Sequence, residues 1–405
     1  MLRLKQAIGA CILVSALGPT GLAHAATYYV ATSGSNSNPG TSTLPWRTVA
    51  YAASKMVAGD TTYVKGGTYN EGSIRFGRTG TQSAPIKLLN YPGAFPRIRC
   101  VDSTKHLPYI QNLNGSNKPI GWITIEGFEI TNCFYGIKYY NLHDSVIRRN
   151  WIHHNPMGAG IQGNGTRILI DRNRINSNAK SRQNHGIYAN GTAYTVTNNL
   201  IYDNYNYGIQ LNGSSPLAVY SSTRDAGPEF ALSNNWVIAN NTFAYQTKQS
   251  GIVVWGSTCN NARIENNIFY ENAVTGSSYI PNGINFVSTS CKGITIKNNL
   301  AFASGSGGKG FLGPGATAGV HYTQSGNIVN TLNPKFVNAP ATLPSSPNFA
   351  LASGSPAIDK GLSLSATKSS YPGTARPKLY GYDIGAYEYY GSTQLAAPTS
   401  LQAGN

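Results

Sequence analysis

The sequence predicts an all-β fold in which short parallel strands wind into a solenoid, that is, a parallel β-helix. Three observations predict it: a composition rich in glycine and poor in charge, a Gly-Ile pair that recurs along the chain, and an Asn-x-apolar marker that recurs between those pairs. Glycine provides 45 of the 405 residues, and only 11% are charged. Such a composition suits many short strands joined by tight turns rather than layers of helices.

The chain begins with a targeting segment, residues 1–25. Arg3 and Lys5 give a positive start, an apolar run follows from Ala7 to Leu17, and residues 23–25 supply the small-x-small cleavage pattern of a secretory signal. The apolar run is too short to span a membrane. We therefore expect a secreted protein, extracellular or periplasmic, whose mature chain begins near Ala26 and has no membrane partner.

The two recurring markers keep nearly the same changing spacing. The Gly-Ile steps are 24, 26, 22, 43 and 32 residues, and the Asn-x-apolar steps are 23, 26, 42, 26 and 32. The pairs begin at Gly136, Gly160, Gly186, Gly208, Gly251 and Gly283, and the second marker begins at Asn150, Asn173, Asn199, Asn241, Asn267 and Asn299. Each unit is therefore predicted to be one coil, which stacks on its neighbours to share a continuous core.

The recurring asparagine is predicted to lie at a bend of each coil, where its amide bonds the backbone and the next asparagine in a ladder. The long step of 42–43 residues predicts an insertion of roughly Gly213 to Ser233, which carries Arg224, Asp225 and Glu229. Long loops on solenoids commonly shape the binding face. A neutral surface insertion is the alternative.

Four cysteines remain in the mature chain and predict two disulfide bonds. Cys259 and Cys291 each lie eight residues after the glycine of a Gly-Ile pair, in consecutive coils. Stacked strands lie about 4.8 Å apart, which brings the Cα atoms within disulfide reach, and an exported protein meets an oxidising setting. Cys100 and Cys133 form the remaining pair. A zinc site is not expected, because no CxxC spacing occurs.

Both ends of the mature chain resemble a known superfamily. The stretch TYYVATSGSNSNPGTSTLPWRTVAYAASKMVAGDTTYVKGGTYNE, Thr27 to Glu71, resembles the N-terminal portion of secreted β-helix proteins of the pectate-lyase-like superfamily; SGSPAIDKG (353–361) and GYDIGAYEY (381–389) resemble its closing segments. The resemblance implies a right-handed parallel β-helix over residues 26–390, capped by a short helix at about Trp46 to Met56. Residues 391–405 then form a linker or C-terminal tail. The resemblance does not specify activity, because lyases, epimerases, hydrolases and adhesins share the fold.

The charge favours an anionic partner. The formal net charge is +16, and removal of the leader with Arg3 and Lys5 leaves +14. An acidic polysaccharide is preferred over nucleic acid, because the chain carries an export signal and has no basic cluster on a helical pattern. A basic surface without a specific ligand is the alternative, and we expect a monomer.

A substrate groove is predicted along the Gly-Ile strands. The isoleucine of each pair points inward, so the next residue and the one two further along point outward. The first row is Lys138, Gln162, Tyr188, Gln210, Val253 and Asn285, and the second is Tyr140, Asn164, Asn190, Asn212, Trp255 and Val287. Amides bond hydroxyl groups and aromatic faces stack on sugar rings, so the amide residues, Tyr140 and Trp255 are predicted to bind a glycan. An ordinary solvated sheet face is the alternative.

The segment SRQNHGIYANG, Ser181 to Gly191, holds the sharpest catalytic candidates. β-Elimination from a uronate needs neutralisation of the carboxylate, a base for the C5 proton and an acid for the leaving O4. Arg182 or Lys138 is predicted to meet the first need, and His185 or Tyr188 the others. A histidine that only satisfies a backbone carbonyl at a coil corner is the alternative reading of His185. His153 and His154, one coil earlier, form an alternative base pair.

The acidic residues are too scattered to indicate a metal centre. The sequence has no adjacent Asp pair and no DxD, so a calcium site would have to draw on Asp144, Asp171 and Asp203. We predict no cofactor and no metal ligands. The same scarcity disfavours a glycoside hydrolase, which needs paired carboxylates.

The sequence thus predicts a polysaccharide lyase that cleaves an acidic, uronate-containing polymer. A C5 epimerase on a polyuronate is the nearest alternative, because the same groups followed by return of the proton to the opposite face would invert C5. A non-catalytic carbohydrate-binding surface protein is the alternative from a different class.

Overall fold

The computed structural model describes residues 25–101, 109–110, 118–179, 184–213, 232–256, 258–276, 280–303 and 310–391. One short helix, α1 (Val49–Lys55), lies near the start. The strands are β1 (Thr27–Val30), β2 (Thr61–Val64), β3 (Thr68–Glu71), β4 (Ile86–Asn90), β5 (Arg97–Cys100), β6 (Tyr109–Ile110), β7 (Ile120–Gly121), β8 (Ile123–Glu126), β9 (Glu129–Thr131), β10 (Ile137–Arg148), β11 (Trp151–His153), β12 (Ile161–Asp171), β13 (Arg174–Asn176), β14 (Ile187–Asn190), β15 (Thr195–Thr197), β16 (Leu200–Tyr202), β17 (Ile209–Gly213), β18 (Val237–Ala239), β19 (Thr242–Ala244), β20 (Ile252–Gly256), β21 (Arg263–Glu265), β22 (Ile268–Tyr270), β23 (Ile284–Phe286), β24 (Ile294–Lys297), β25 (Leu300–Phe302), β26 (Tyr322–Ser325), β27 (Ile328–Val329), β28 (Phe336–Asn338) and β29 (Asn348–Leu351).

Three parallel walls build the solenoid. Wall a holds the Gly-Ile strands β10, β12, β14, β17, β20 and β23, preceded by β6 and β7; wall b runs through β1, β2, β4, β8, β10, β12, β15, β18, β21, β24 and β26; wall c runs through β3, β5, β9, β11, β13, β16, β19, β22, β25 and β27. β10 and β12 continue unbroken from wall a into wall b. Each full coil visits a, b and c in turn, which confirms the predicted parallel β-helix.

The strand register confirms the repeat. The isoleucines of the six Gly-Ile pairs lie directly opposite one another from coil to coil, and all are buried. Because each isoleucine stacks on its equivalent, one apolar column runs along the inside of wall a. Each isoleucine is preceded by a glycine because a larger residue would clash with the next coil. A Cβ at Gly186, for example, would lie 2.7 Å from the Gly208 carbonyl oxygen.

The predicted asparagine ladder is present at the corner between walls b and c. Asn199 is typical: its Oδ1 accepts from the backbone N–H and the side-chain amide of Asn173, while its Nδ2 donates to the Ile170 carbonyl and to Asn241 Oδ1. The residue before each ladder asparagine takes a left-handed backbone, with φ between 48° and 56° from Arg149 to Asn298. That conformation is costly for residues other than glycine, and the buried amide bonds offset it.

A second ladder, which the sequence analysis did not identify, lies at the corner between walls c and a. It comprises Asn155, Asn178, Asn204, Gln246, Asn272 and Asn282, all buried and bonded in succession. Five of its members follow the first ladder by a fixed five residues. This offset is the sequence signal that would have revealed it.

The predicted cap and crosslinks are confirmed. Helix α1 begins after Thr48, whose side chain accepts from the Tyr51 N–H, and buries Val49, Ala52 and Ala53 against the first coil. The helix is shorter than expected, because Trp46 forms a parallel β-bridge with Val30 in wall b instead of joining the helix. The Cys100–Cys133 and Cys259–Cys291 disulfides join Cα atoms 5.0 and 5.1 Å apart.

The closing segments pack across the outside of wall c. Phe349, Leu351, Ile384 and Tyr387 bury a second apolar cluster against wall c residues between Leu200 and Leu300. A buried salt bridge joins two parts of the C-terminal segment, with 2.6 Å between Arg376 Nη1 and Glu388 Oε2. Among the described residues no helix is long and apolar enough to cross a membrane.

Three predicted features fall largely outside the described residues. These are the leader, the tail after residue 391, and residues 214–231 of the insertion, including Arg224, Asp225 and Glu229. Their predictions stand untested.

Candidate functional site

The outward rows of wall a have the predicted register wherever their residues are paired, except at Tyr140. In the first row Lys138 lies opposite Gln162, and Tyr188, Gln210, Val253 and Asn285 follow strand by strand. In the second row Asn164 lies opposite Asn190, and Asn212 opposite Trp255. Tyr140 departs from its row, because a β-bulge between Tyr139 and Leu142 brings Asn141 to Asn164 instead. We call this surface the groove face.

The groove face is more closed than an open solvated sheet. The first-row residues Lys138, Gln162 and Gln210 and the second-row residues Asn164, Asn190 and Asn212 are all buried, whereas Tyr140, Tyr188 and Asn285 are half-buried. Its side chains bond one another: the Gln210 amide donates to Asn212 Oδ1 at 3.3 Å, and Asn285 donates to the Tyr207 hydroxyl at 3.3 Å. The Tyr207 contact spans two strands and passes over β20, where Val253 is fully buried.

Lys138 is the charged group at the start of the groove face. It is only 5% exposed, and its Nζ lies 4.2 Å from the centre of the Tyr135 ring and 5.3 Å from that of Tyr140. Burial lowers the pKa of Lys138 to about 8. Tyr135 is held in place by close packing on Gly158, where a Cβ would lie 2.3 Å from the ring. A lysine so enclosed is a competent proton acceptor near neutral pH.

His185 lies beneath the groove face rather than on it. It is 3% exposed, and its Nδ1 accepts the Tyr207 N–H at 3.3 Å. Burial lowers the pKa of His185 to about 3, against the opposing hydrogen bond with Gln210, so the ring is neutral and carries its proton on Nε2. Its ring meets Tyr188 edge to face, with 5.2 Å between the centres. This geometry favours a positioning role for His185; its role as a base stays a prediction.

Tyr188 is the other candidate of this segment that reaches the groove face. It lies half-buried between Gln162 and Gln210, two strands from Lys138. Two strand spacings correspond to about 10 Å between backbones, a span that one sugar residue and two long side chains can bridge. Arg182 lies outside the described residues, so its predicted role is untested.

The alternative base pair lies on a different wall. His153 ends β11 on the outside of wall c, where its Nε2 lies 3.0 Å from Glu129 Oε1 and its Nδ1 lies 2.7 Å from the Nδ1 of His154. Burial lowers the pKa of His153, against the opposing Glu129 carboxylate. The pair therefore does not join Lys138 and Tyr188. Glu129 was missed by the sequence analysis, since it lies a full coil upstream.

The three scattered aspartates occupy three different corners. Asp144, between walls a and b, binds Arg167 with 2.6 and 2.8 Å contacts; Asp171, between b and c, accepts from Thr197 and Asn198; Asp203, after wall c, accepts from Ser177. They do not converge on one cation. Across the described ranges, no three His, Cys, Asp or Glu side chains come together as metal ligands.

Two family models match parts of the chain. Residues 28–181 match the right-handed β-helix region of Pel9A-like proteins, and residues 121–305 match NosD, described as a periplasmic copper-binding protein. The two overlapping matches together cover most of the solenoid and agree on its architecture.

Individual proteins are similar over different extents. The crystal structure of pectate lyase Pel9A matches with a TM-score of 0.57 and 19% identity over 89% of this chain and 96% of that one, a likeness of fold. Pectate lyase PEL9 of Emericella nidulans is 40% identical over 80 residues, and the uncharacterised protein YwoF of Bacillus subtilis is 41% identical over 63. The matched segments span 20% and 16% of this chain and 19% and 13% of those relatives.

Proposed function

We propose that this right-handed parallel β-helix protein, whose fold is similar to that of pectate lyase Pel9A, is a polysaccharide lyase acting by β-elimination on an acidic, uronate-containing polymer. The observation that carries the proposal is Lys138, a lysine on the groove face whose pKa is lowered to about 8 by burial. At pH 7 about one such lysine in ten is neutral, against about one in 3,000 at a pKa of 10.5.

The proposed step uses Lys138 as the base. Its neutral amine takes the C5 proton of a bound uronate, the released electron pair forms the C4–C5 double bond, and the O4 substituent leaves. Tyr188 is proposed to donate the proton to that leaving oxygen, held by the His185 ring at 5.2 Å. Gln162, opposite Lys138 in the next strand, is proposed to bond the uronate carboxylate, with Arg182 as the cation that neutralises it.

Three further observations support this assignment. The excess of basic residues favours an anionic polymer. The leader-like first 25 residues and the two disulfide bonds favour an extracytoplasmic location, where such polymers occur. Pectate lyases among the similar proteins add to the case, since they act on a polymer of this class.

The test is a panel assay that follows the ultraviolet absorbance of the unsaturated product. The mature protein is mixed with pectate, alginate, glucuronan and glycosaminoglycans, each with and without a chelator. We expect absorbance to rise on one polymer class, and Lys138→Met to lower the rate by at least 100-fold. Lys87→Met, which removes an exposed lysine from wall b, is the matched control and should leave the rate unchanged.

Other results would redirect the assignment. Full activity in Lys138→Met would remove Lys138 from the mechanism. No absorbance rise on any polymer would overturn the lyase proposal; exchange of the C5 proton with deuterated water would then indicate an epimerase, and its absence a non-catalytic binding protein.

A further inference from the structure

An exposed apolar platform lies at the far end of the groove face. Trp255, near the end of β20, is 46% exposed, and Val287, just after β23, is also 46% exposed. The two residues directly follow Val254 and Phe286, which are the last register pair of β20 and β23, and the Val287 N–H donates to the Val254 carbonyl at 3.1 Å. Trp46, Trp151 and Trp236 are buried and Trp122 is half-buried, so Trp255 is the one exposed tryptophan of the described ranges.

The platform is built on a rigid frame. Trp255 pairs in register with Asn212, and the next residue, Gly256, turns with a φ of 92° so close to β17 that a Cβ would lie 2.0 Å from the Gly213 carbonyl oxygen. The Cys259–Cys291 disulfide follows at once, with Cys259 Sγ 3.8 Å from the Trp255 carbonyl oxygen. A backbone that is already held in place before the ligand arrives loses little freedom on binding, which favours affinity.

The distance to Lys138 sets the length of ligand that would reach both sites. β10 and β20 are four strand steps apart along wall a, or about 19 Å. One sugar ring of an extended chain is about as long as one strand step. A glycan lying along the groove face with one residue at Lys138 therefore places its fourth neighbour at Trp255.

We propose that Trp255, with Val287 beside it, is a distal sugar-binding subsite that stacks against the apolar face of a pyranose ring four residues from the cleaved one. The inference rests on the proposed function, because it takes Lys138 as the cleavage point. The subsite gives the protein a preference for long glycan chains. Oligosaccharides of five residues or more engage both ends of the groove face, and shorter ones engage only the Lys138 end.

The test measures binding against chain length. Oligogalacturonides and oligomannuronates of two to eight residues are titrated into Lys138→Met protein, which holds its ligand uncleaved, with and without the added substitution Trp255→Ala. We expect Trp255→Ala to weaken binding of six- to eight-residue chains about tenfold and to leave di- and trisaccharides unchanged. Trp255→Phe keeps a ring and should stay within about threefold, and Leu332→Ala, at an exposed leucine of the C-terminal segment, is the control for lost apolar surface.

A second measurement reports on Trp255 directly. Long chains should protect one exposed tryptophan from acrylamide quenching, and that protection should vanish in Trp255→Phe. Binding that stays intact at every length in Trp255→Ala, or falls equally at every length, would overturn the subsite while leaving the lyase proposal in place. No binding of any oligomer, together with no unsaturated product from any polymer, would overturn both.

Discussion

Replacing Lys138 by methionine should make the protein more stable, and the gain should depend on pH. Lys138 is 5% exposed, and burial lowers its pKa from 10.5 to about 8. Each pKa unit corresponds to about 1.4 kcal/mol, so the buried charge costs about 3 kcal/mol at neutral pH. The Tyr135 and Tyr140 rings return about 0.5–1 kcal/mol through cation–π attraction. We therefore expect a net gain of about 2 kcal/mol in Lys138→Met.

The pH dependence follows from the direction of the shift. Below pH 8 the lysine is charged in both the folded and the unfolded chain, and the full cost of burying it is present. Between pH 8 and about 10.4 the unfolded chain holds more protons than the folded one, so the stability of the wild type rises with pH. The advantage of Lys138→Met should therefore shrink above pH 8 and vanish near pH 10.

Guanidinium unfolding at pH 6, 7, 8, 9 and 10 measures this difference. Tryptophan fluorescence and circular dichroism must give coincident transitions, because stacked coils can unfold in parts. Lys87→Met should show no gain at any pH. A Lys138→Met protein that is less stable than the wild type at pH 7, or a difference that does not change with pH, would refute the reasoning and with it the account of Lys138 as a desolvated base.

Three further predictions concern the coils themselves. Asn199→Ala removes four buried hydrogen bonds and should lower the free energy of unfolding by about 3 kcal/mol or more. Asn327 accepts from the Asn299 amide and is the half-buried last member of the ladder, so Asn327→Ala should lower the free energy of unfolding by only about 1 kcal/mol. Equal losses in the two variants would contradict the ladder argument. The His185 ring should show no titration by NMR between pH 5 and 8, because burial lowers its pKa to about 3, and an inflection near 6.5 would revive it as a base. Gly191→Ala should abolish soluble expression, since a Cβ there would lie 1.5 Å from the Gly165 carbonyl oxygen at a φ of 123°; a soluble variant with an unchanged circular dichroism spectrum would show that this corner can move.

The parts of the fold that repeat were predictable from the sequence. The Gly-Ile pairs, the first asparagine ladder and the Cys259–Cys291 bridge all follow from equivalent positions in successive coils. Each coil contacts mainly its two neighbours, so a fixed offset along the chain becomes a fixed contact in space. For example, the spacing of the Gly-Ile pairs predicts that Ile187 lies opposite Ile209 of the next coil, as the structure shows.

The candidate site was predictable only as a set of positions. The sequence placed Lys138, Tyr188 and Trp255 on one face, and the register agrees. It did not predict that His185 is enclosed by Tyr207 and Gln210, nor that a bulge removes Tyr140 from its row. Such departures arise where one coil differs from the next, which periodicity cannot describe.

The sequence by itself determined the repeating architecture: a parallel solenoid with its first ladder corner, the Cys259–Cys291 crosslink and its outward rows, because these depend on local patterns that recur at coil spacing. Only the tertiary structure decided which groups on that scaffold have altered chemistry. The pKa of Lys138 depends on how completely Tyr135 and the neighbouring strands exclude water from it. The exposed fraction of Trp255 depends on how the coils around it pack. Desolvation is a property of all the surrounding atoms at once, so it is fixed only when the coils are stacked.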